Sequence, residues 1–321
     1  MEVSVVYCFD NNFTRPAYIT IASLKHHIRR PATYSIYCII AEDVTDQSKN
    51  MIHSLNDESF QIIFIAANSD FDNAYSYRGV TVASYYRLTL ADLLPETVEK
   101  VLYIDVDTLV NDDISQLYMT DLQDNILGGV RNLYIFQVHE KLLSQLDYWE
   151  KSFGDFKSDY INAGVLLMNL KEIRKHGLAK KWLEYRNEKW EFFDQDILNI
   201  SCKGKIKYLA PKYNATYAVR ASGAESYGLF SKAELSETPV IFHFTAAKPW
   251  NAKYMSQAKV WWDFVKNNTT MYDYFLTEYK KKYTLKRKVN RYLRRIKSGL
   301  RNRLRYQIFV KPRTWLSTNT L

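Results

Sequence analysis

Cysteine is scarce in this sequence of 321 residues, which contains only Cys8, Cys38 and Cys202. The three are far apart and form no CxxC pair, which argues against a secreted disulfide scaffold and against a zinc knuckle. Glycine and proline are also few, at 10 and 7 residues. Fibrous and low-complexity classes are therefore not expected.

Long apolar runs are missing as well. The sequence has no stretch of about eighteen apolar residues, so no transmembrane helix is expected. The first ten residues, MEVSVVYCFD, contain no basic segment and become acidic at Asp10, which is unlike a signal peptide. Together with the sparse cysteines, these features predict a reducing, cytoplasmic location.

Apolar and aromatic residues, by contrast, are plentiful. Hydrophobic residues make up 47% of the chain, which is enough to bury a sizeable core. The 25 Tyr, 16 Phe and 7 Trp residues could pack in that core, or they could offer stacking surfaces for bases and sugar rings. Composition alone favours core packing.

Basic charge is concentrated at the end of the chain. Fifteen of the 44 Lys and Arg residues follow Tyr279, in a segment that has no Asp or Glu. The residues before that segment contain 29 basic and 35 acidic side chains, so the net charge of +9 belongs to the tail. This asymmetry indicates a separate task for residues 280–321.

Strand-like and helix-like segments alternate through the first part of the sequence. Strands are predicted at 3–9, 34–40 and 60–66, where β-branched and aromatic residues cluster. Helices are predicted between them, at 17–27 and 45–55. This β-α-β-α-β order predicts an α/β fold with a parallel sheet covered by helices.

The later part of the sequence continues the same pattern. Helices are predicted at 84–94 and 192–200, and strands at 101–104, 161–170 and 240–244. In open α/β sheets, ligands bind at the carboxyl ends of the strands. Polar residues that directly follow these strands are therefore candidates for a functional site.

The strongest chemical signal is YIDVDTL at 103–109. Asp105 and Asp107 follow a short buried strand, and strand alternation would place both carboxylates on the same face. Carboxylate oxygens suit Mg²⁺ or Mn²⁺, which can bridge the phosphates of a nucleotide. The alternative is a turn with two solvated aspartates.

A second signal is HFTAAKPW at 243–250. His243 follows an apolar stretch and can supply a nitrogen ligand, while Lys248 can meet a phosphate oxygen. Mn²⁺ accepts one imidazole beside two carboxylates. Without the acidic motif, His243 would be interpreted as a structural histidine.

These motifs resemble those of glycosyltransferase family 8, the retaining transferases that include bacterial lipopolysaccharide and lipooligosaccharide galactosyl- and glucosyltransferases. The resemblance covers about residues 3–255. It rests on six motifs that occur in the family's order, namely VVYCFDNNF, SYYRL, YIDVDTLV, INAGVLLMNL, DQDILN and HFTAAKPW.

The resemblance implies a single Rossmann-like nucleotide-sugar-binding domain of glycosyltransferase A type, with a UDP-sugar donor and Mn²⁺ or Mg²⁺. It implies that Asp105, Asp107 and His243 bind the metal. The residues implied to surround the transferred sugar are Asn162, Asp194 and Gln195. Of these, Gln195 would lie nearest the anomeric carbon. The residues implied to lie at the nucleotide, its diphosphate or the donor sugar are Cys8, Asp10, Asn11, Asn12, Arg87 and Lys248.

Several of these residues have a structural alternative. Asp10 and Asn12 could be turn residues after the first strand. Asp194 could cap a helix. Asn162 could belong to a turn, and Arg87 could form a surface ion pair.

The implied activity is the retaining transfer of galactose or glucose from a UDP-sugar to a saccharide acceptor, in lipopolysaccharide or cell-surface glycan synthesis. We expect residues 1–255 to form the catalytic domain and 256–321 an aromatic and basic helical region. The main alternative is a phosphatase of the haloacid dehalogenase type, which would use Asp105. Its later metal motif is mimicked by GDFKSD at 154–159, but that segment does not follow a buried strand.

The basic tail has an amphipathic pattern. From Leu285 to Ile308 the apolar residues keep helical spacing, and Lys and Arg fill the other face. This pattern predicts peripheral attachment to the anionic inner face of the cytoplasmic membrane. Nucleic-acid binding and a solvated or oligomer-packing tail are alternatives, and the helical spacing disfavours nucleic acid.

Overall fold

The structure is a computed structural model of the chain. The residues that it describes are 1–29, 31–68, 70, 82–135, 158–221, 223–245, 247–252, 258–283, 287, 288, 290, 292 and 293. The chain divides into two compact units, Met1–Lys248 and Pro249–Leu321. The predicted domain boundary at residue 255 and most of the basic tail lie outside the described residues, so both stay predictions.

Strands of the described residues form one seven-stranded sheet and one two-stranded sheet. Their bounds are β1 Glu2–Phe9, β2 Thr33–Ile40, β3 Phe60–Ala66, β4 Lys100–Ile104, β5 Thr108–Val110, β6 Leu127–Arg131, β7 Ile161–Asn169, β8 Ile206–Tyr208 and β9 Ile241–His243. The large sheet has the order β3-β2-β1-β4-β7-β6-β8, and β5 pairs with β9 in the small one.

The large sheet is parallel over β3, β2, β1 and β4, as the alternation of strands and helices predicts. The next strand, β7, runs antiparallel to both β4 and β6. Its amino end therefore lies at the same edge of the sheet as the carboxyl ends of β1 and β4. This reversal brings the INAG segment of β7 to the edge where ligands bind in such folds.

Helices cover both faces of the sheet. In the described residues the α-helices are α1 Thr14–His27, α2 Asp46–His53, α3 Leu90–Leu93, α4 Ser115–Tyr118, α5 Leu170–Lys175, α6 Leu178–Glu184, α7 Asp194–Ser201, α8 Lys232–Ser236, α9 Lys259–Val265 and α10 Thr269–Lys282. The helices predicted at 17–27, 45–55 and 192–200 are confirmed as α1, α2 and α7.

The helix predicted at 84–94 is mostly wrong in type. The segment Val82–Thr89 is a 3-10 helix, and only the short α3 follows it. The Ser84 carbonyl oxygen accepts a hydrogen bond from Arg87 Nε at 2.8 Å. A regular α-helix would use that oxygen for the amide four residues later, so the Arg87 side chain supports the tighter turn.

Alternating residues of β1 divide the core into two layers. Val6 and Cys8 pack with apolar residues of α3, α5, α6 and α7 on one face of the sheet. Val5 and Tyr7 pack with residues of α1, α2 and α4 on the other. This three-layer arrangement confirms the α/β fold class.

The small sheet connects the two acidic residues of YIDVDTL to the last strand of the first unit. In this sheet β5 pairs antiparallel with β9, with Thr108 opposite His243. The Thr20 hydroxyl, on α1, lies 3.0 Å from the Val106 carbonyl oxygen and 2.9 Å from that of Thr108. Helix α1 thus fixes the segment between β4 and β5.

Aromatic side chains pack together in the second unit. The Trp261 ring lies 5.7 Å from Trp250, 5.2 Å from Trp262 and 4.9 Å from Phe275 between centroids. Their arrangement is that of a small core, in line with the core-packing interpretation of the aromatic excess. Among the described helices, none combines the length and apolar character that crossing a bilayer requires.

We predict that Thr20→Val lowers the free energy of unfolding by about 1–3 kcal/mol, because it leaves a buried carbonyl oxygen without its donor while keeping the side-chain shape. Chemical denaturation measures this quantity. The control is Thr33→Val, at an exposed position of β2, which should change it little. Equal effects of the two variants would contradict the role given to Thr20.

Candidate metal and donor site

Asp105, Asp107 and His243 converge at the edge of the large sheet. The His243 Nε2 atom lies 3.7 Å from Asp105 Oδ2 and 3.2 Å from Asp107 Oδ1. One ligand atom from each of the three residues lies within 4.8 Å of the others. Two carboxylates and one imidazole at this spacing are a donor set that can bind a divalent cation such as Mn²⁺.

A turn, rather than strand alternation, places the two aspartates together. The strand β4 ends at Ile104, and β5 begins at Thr108. The Asp105 amide donates to the Gly164 carbonyl oxygen at 2.7 Å, and the Phe244 amide donates to the Asp107 carbonyl oxygen at 2.9 Å. The convergence is as expected from the sequence, but the reason given for it, alternation in a strand, is wrong.

Glycine is required at position 164 because the metal-site side chains lie against its backbone. A Cβ atom added to Gly164 would lie 2.1 Å from His243 Cε1 and 2.8 Å from Asp105 Oδ2. Real Cβ contacts are essentially never this short, so any side chain here would displace one of the two candidate ligands.

Neighbouring groups orient the Asp105 carboxylate. Its Oδ1 atom accepts hydrogen bonds from the Tyr103 hydroxyl at 2.6 Å and from Arg87 at 2.9 Å. Its Oδ2 atom is the one that faces His243. The arrangement therefore directs one oxygen to the protein and the other to the candidate cation site.

Asp107 is held ionised by two neighbours. Burial alone would raise the pKa of its carboxyl group, but Lys248 first and then His243 outweigh burial, and the pKa lies well below its ordinary value. The Lys248 ammonium donates to Asp107 Oδ2, while Oδ1 faces His243. Lys248 thus lies beside the candidate cation site, where the sequence predicts a diphosphate contact.

Arg87 joins the metal side of the site to α7. Its guanidinium is buried, lies 3.0 Å from Asp194 Oδ2 and also contacts Asp105. Burial would lower the pKa of Arg87, but Asp105 and Asp194 outweigh burial and raise it. Burial raises the pKa of Asp194 to about 6, although Arg87 opposes this shift. The surface ion-pair alternative for Arg87 is therefore wrong.

Asp194 does not act as a helix cap. The N-cap position before α7 is occupied by Phe193, whose side chain makes no capping hydrogen bond, and Asp194 is the first residue inside the helix. Phe193 has φ of 54°, a region that non-glycine residues rarely adopt and that often marks functional sites. This backbone turn directs the first residues of α7, Asp194 and Gln195, toward the amino end of β7.

Gln195 and Asn162 contact each other across this edge. Gln195 Oε1 accepts from the Ala163 amide at 3.0 Å and from Asn162 Nδ2 at 3.2 Å. Asn162 is the second residue of β7, so the turn alternative for it is wrong. Asn162 Oδ1 in turn accepts from Asn214, whose own Oδ1 lies 2.8 Å from His243 Nδ1.

The residues expected at the nucleotide follow β1. Asp10 Oδ1 accepts from the amides of Asn12 and Phe13, which is the capping role that the turn alternative describes. Asn11 Oδ1 accepts from the Ser48 hydroxyl at 3.0 Å. Cys8 is buried, and burial raises the pKa of its thiol. These residues lie at the predicted edge, but their roles toward a nucleotide stay predictions.

Four residues of the site were not predicted from the sequence. Tyr103 and Gly164 lie within the motifs YIDVDTL and INAGVLLMNL, so their position beside predicted site residues could have indicated that they belong to the site. Tyr160 precedes one such motif, and its hydroxyl accepts from Gln195 Nε2 at 3.0 Å. Asn214 lies in the segment PKYN, which no periodicity or spacing connects to His243.

Comparison with known proteins identifies a family. The model of Glycosyl transferase family 8 matches residues 4–254. A putative glycosyltransferase of Haemophilus influenzae is 28% identical over 220 residues, which cover 67% of this chain and 63% of the relative. A lipopolysaccharide 1,2-glucosyltransferase of Escherichia coli K12 is 28% identical over 255 residues, which cover 78% and 73%. The match therefore spans less than two thirds of the Haemophilus protein.

The fold has a solved counterpart. A galactosyltransferase, LgtC, in complex with donor and acceptor sugar analogues aligns with a TM-score of 0.68 and 24% identity. The alignment covers 83% of this chain and 96% of that one. This similarity confirms the expected glycosyltransferase A type fold.

We predict that Gly164→Ala weakens Mn²⁺ binding by about 10–100-fold, because the new methyl group displaces the side chains that orient the site. Calorimetric titration with Mn²⁺, with and without UDP, measures the affinity. Gly128→Ala in β6 is the control, since its added Cβ would come closest to the flexible end of Leu122, at 3.0 Å, and would make ordinary contacts with Leu167 and Leu209 at 3.4 and 3.5 Å. Wild-type Mn²⁺ affinity in folded Gly164→Ala would contradict this account.

Proposed function

The chain belongs to glycosyl transferase family 8, and we propose that it is a retaining transferase that moves a hexose, galactose or glucose, from a UDP-sugar to a saccharide acceptor. The observation that carries the proposal is the convergence of Asp105, Asp107 and His243, with Lys248 beside them. A diphosphate leaving group needs positive charge at such a position, and these residues can assemble it.

The donor set fits Mn²⁺, or Mg²⁺ as the alternative. Asp105, Asp107 and His243 would bind the cation through two oxygens and Nε2. When bound, the cation supplies positive charge that stabilises the departing diphosphate.

The charges around the site favour cation binding. Three carboxylates, those of Asp105, Asp107 and Asp194, face two basic groups, Arg87 and Lys248. With a neutral imidazole, the cluster carries one net negative charge. With a divalent cation held by these residues, the net charge would be positive, and the site would attract a nucleoside diphosphate.

With a cation at the site, Lys248 would bind the diphosphate of the donor instead of Asp107. In the structure its ammonium is bonded to Asp107 and to the Phe244 carbonyl oxygen. If Asp107 held a cation, the Lys248 ammonium would be able to leave Asp107 and bind a diphosphate oxygen. The uridine would lie at the end of β1, against Asp10 and Asn12, with Cys8 and Asn11 nearby.

The sugar would lie at α7 and the amino end of β7, beside Asp194, Gln195 and Asn162. Their oxygens can stabilise the positive charge that develops at the anomeric carbon. A covalent intermediate is not required, because an amide such as that of Gln195 is a poor nucleophile. In a same-face reaction, the bond from the anomeric carbon to the phosphate oxygen breaks, the bond to the acceptor oxygen forms, and a diphosphate oxygen takes the acceptor's proton.

The relatives support the substrate class. The Escherichia coli relative is named a lipopolysaccharide 1,2-glucosyltransferase. Another relative, from Salmonella typhimurium, is named a lipopolysaccharide 1,3-galactosyltransferase and is 22% identical over 277 residues, which cover 80% of this chain and 78% of that protein. We therefore propose an acceptor in lipopolysaccharide or another cell-surface glycan. The phosphatase alternative finds no support, because the family match extends over residues 4–254 and Asp105 Oδ1 is already bonded to Tyr103 and Arg87.

The basic tail is proposed to attach the enzyme to the cytoplasmic face of the membrane. This part of the proposal rests on the sequence alone, on fifteen basic residues interleaved with helically spaced apolar ones. Each basic residue near an anionic surface contributes about 1 kcal/mol to binding. Attachment would place a cytoplasmic enzyme near lipid-linked acceptors.

We predict UDP release from UDP-galactose or UDP-glucose in Mn²⁺, and loss of that release in a chelator. Asp105→Asn and Asp107→Asn should each lower kcat by about 10²–10³-fold, because each removes charge that holds the cation at the leaving group. Asp112→Asn is the control, since Asp112 is exposed and its carboxylate accepts from the Arg29 guanidinium and the Asp113 amide rather than from residues of the site. Full turnover of either site variant in chelator would refute the proposal.

The same reaction tests retention. The donor's hexose is α-linked, so the transferred sugar should appear with the α configuration at its new bond, read from its anomeric proton by NMR. A β-linked product, or a trapped covalent adduct on Asp194 or Gln195, would exclude the same-face reaction without a covalent intermediate.

We predict that the full chain sediments with vesicles that contain anionic lipid and that a chain ending at residue 279 does not. Binding should weaken as salt increases, because counterions screen the basic residues. Neutral vesicles are the control for apolar attachment. Equal sedimentation of the two chains would exclude the tail as the attachment, and binding of the tail to RNA but not to vesicles would favour nucleic acid.

A further inference from the structure

A continuous chain of hydrogen bonds joins a buried carboxylate of α7 to His243. Its members are buried or half-buried side chains and lie in the order Asp196, Tyr160, Gln195, Asn162, Asn214 and His243. Successive donor and acceptor atoms are 2.5–3.2 Å apart. Since three members are amides and one is an imidazole, the direction of each bond must be deduced from groups that can only donate or only accept.

The first fixed point is the Gly164 amide. A backbone N–H can only donate, and it faces Asn162 at 3.0 Å, so the facing atom is Asn162 Oδ1. The Nδ2 atom of Asn162 must then face Gln195, to which it donates at 3.2 Å.

The second fixed point confirms this direction. The Ala163 amide also can only donate, and it faces Gln195 Oε1 at 3.0 Å. Gln195 Nε2 therefore donates to the Tyr160 hydroxyl, which in turn donates a hydrogen bond to the carboxylate of Asp196. The bonds from β7 to α7 thus have one consistent assignment, set by two backbone amides.

The same fixed point sets the direction toward His243. Asn162 Oδ1 accepts a second bond from Asn214 Nδ2 at 2.8 Å. The oxygen of Asn214 is then the atom that lies 2.8 Å from His243 Nδ1. Two acceptors cannot form this bond, so Nδ1 must carry a proton.

The surroundings of His243 Nε2 explain why the proton on Nδ1 matters. His243 Nε2 faces the carboxylates of Asp105 and Asp107. Two carboxylates would by themselves favour a proton on Nε2, and a proton there would occupy the lone pair that a cation requires. An acceptor at Nδ1 opposes that outcome.

The backbone holds Asn214 at this position. The next residue, Ala215, donates its amide to the Ile241 carbonyl oxygen at 2.9 Å and accepts from the His243 amide at 3.2 Å. Asn214 is fully buried. Its side chain therefore keeps a fixed distance from the imidazole.

We propose that Asn214 is a positioning residue that keeps His243 protonated at Nδ1, so that Nε2 is the atom offered to the cation. The inference rests on the proposed function for its use of a cation, but the tautomer itself does not. No substrate contact is assigned to Asn214.

The direct test is NMR of the cation-free protein labelled with ¹⁵N-histidine, with the His243 signals assigned by their loss in His243→Gln. We expect the neutral ring of His243 to carry its proton on Nδ1, the nitrogen that faces Asn214 Oδ1. A neutral ring with its proton on Nε2 would overturn the inference. This outcome is independent of whether Mn²⁺ binds.

Variants supply the second test. Asn214→Leu removes the acceptor and should move the proton of the neutral ring to Nε2 and weaken Mn²⁺ binding about 10–100-fold. Asn214→Asp keeps an acceptor and should keep the proton on Nδ1. Wild-type tautomer and Mn²⁺ affinity in Asn214→Leu would overturn the inference, as would loss of the Nδ1 proton in Asn214→Asp.

A second Asn–His pair in the chain provides the matched control. Asn56 Oδ1 accepts from the Ile62 amide, so its Nδ2 lies 3.0 Å from His53 Nε2, away from the site. Asn56→Leu removes an Asn–His bond of the opposite direction, in which the amide donates to the imidazole, and should leave the His243 signals and Mn²⁺ affinity unchanged. If the wild type binds no Mn²⁺ at all, the proposed function fails, while the NMR result still decides the tautomer.

Discussion

The antiparallel pairing of β5 with β9 is the constraint on which the site depends. It places His243 opposite Thr108 and therefore beside two carboxylates that come from a distant part of the chain. Like charges at this distance repel each other in a buried setting. The fold offsets that repulsion with Lys248 on Asp107 and Arg87 on Asp105, and a cation would offset it further. Backbone hydrogen bonds thus hold the three candidate ligands in place. The remaining negative charge of the site can be balanced by a bound cation.

The reversal of β7 gives this site its second half. A parallel strand in that place would have put INAG at the far edge of the sheet. Because β7 runs antiparallel to β4, Asn162 and Gly164 lie at the carboxyl ends of β1 and β4. Gly164 admits the imidazole against its backbone, and Asn162 bonds both Gln195 and Asn214. The same strand therefore links the candidate cation site to the residues proposed to surround the sugar.

Sequence patterns predicted the parts of this molecule that local chemistry determines. Runs of β-branched and aromatic residues predict the strands β1 to β4. Asp105 and Asp107 are recognisable because they are acidic residues that directly follow such a run. The direction of β7 depends on how the strand packs in the sheet, and the 3-10 conformation of Val82–Thr89 is supported by a side-chain hydrogen bond. Neither can be predicted from the periodicity of the sequence. The role of Asn214 could not be predicted from the sequence either, because it depends on the distance between Asn214 and His243 in the folded chain.

The joint binding of one divalent cation by Asp105, Asp107 and His243 is the part of the proposal on which the rest depends. Its most direct test is a crystal of the full chain soaked with Mn²⁺ and UDP, examined by anomalous scattering from the metal. We expect one strong peak within about 2.0–2.6 Å of an oxygen of each aspartate and of His243 Nε2, the usual range for such ligands, with the diphosphate beside it. A peak elsewhere, or three side chains that point apart around bound UDP, would contradict it.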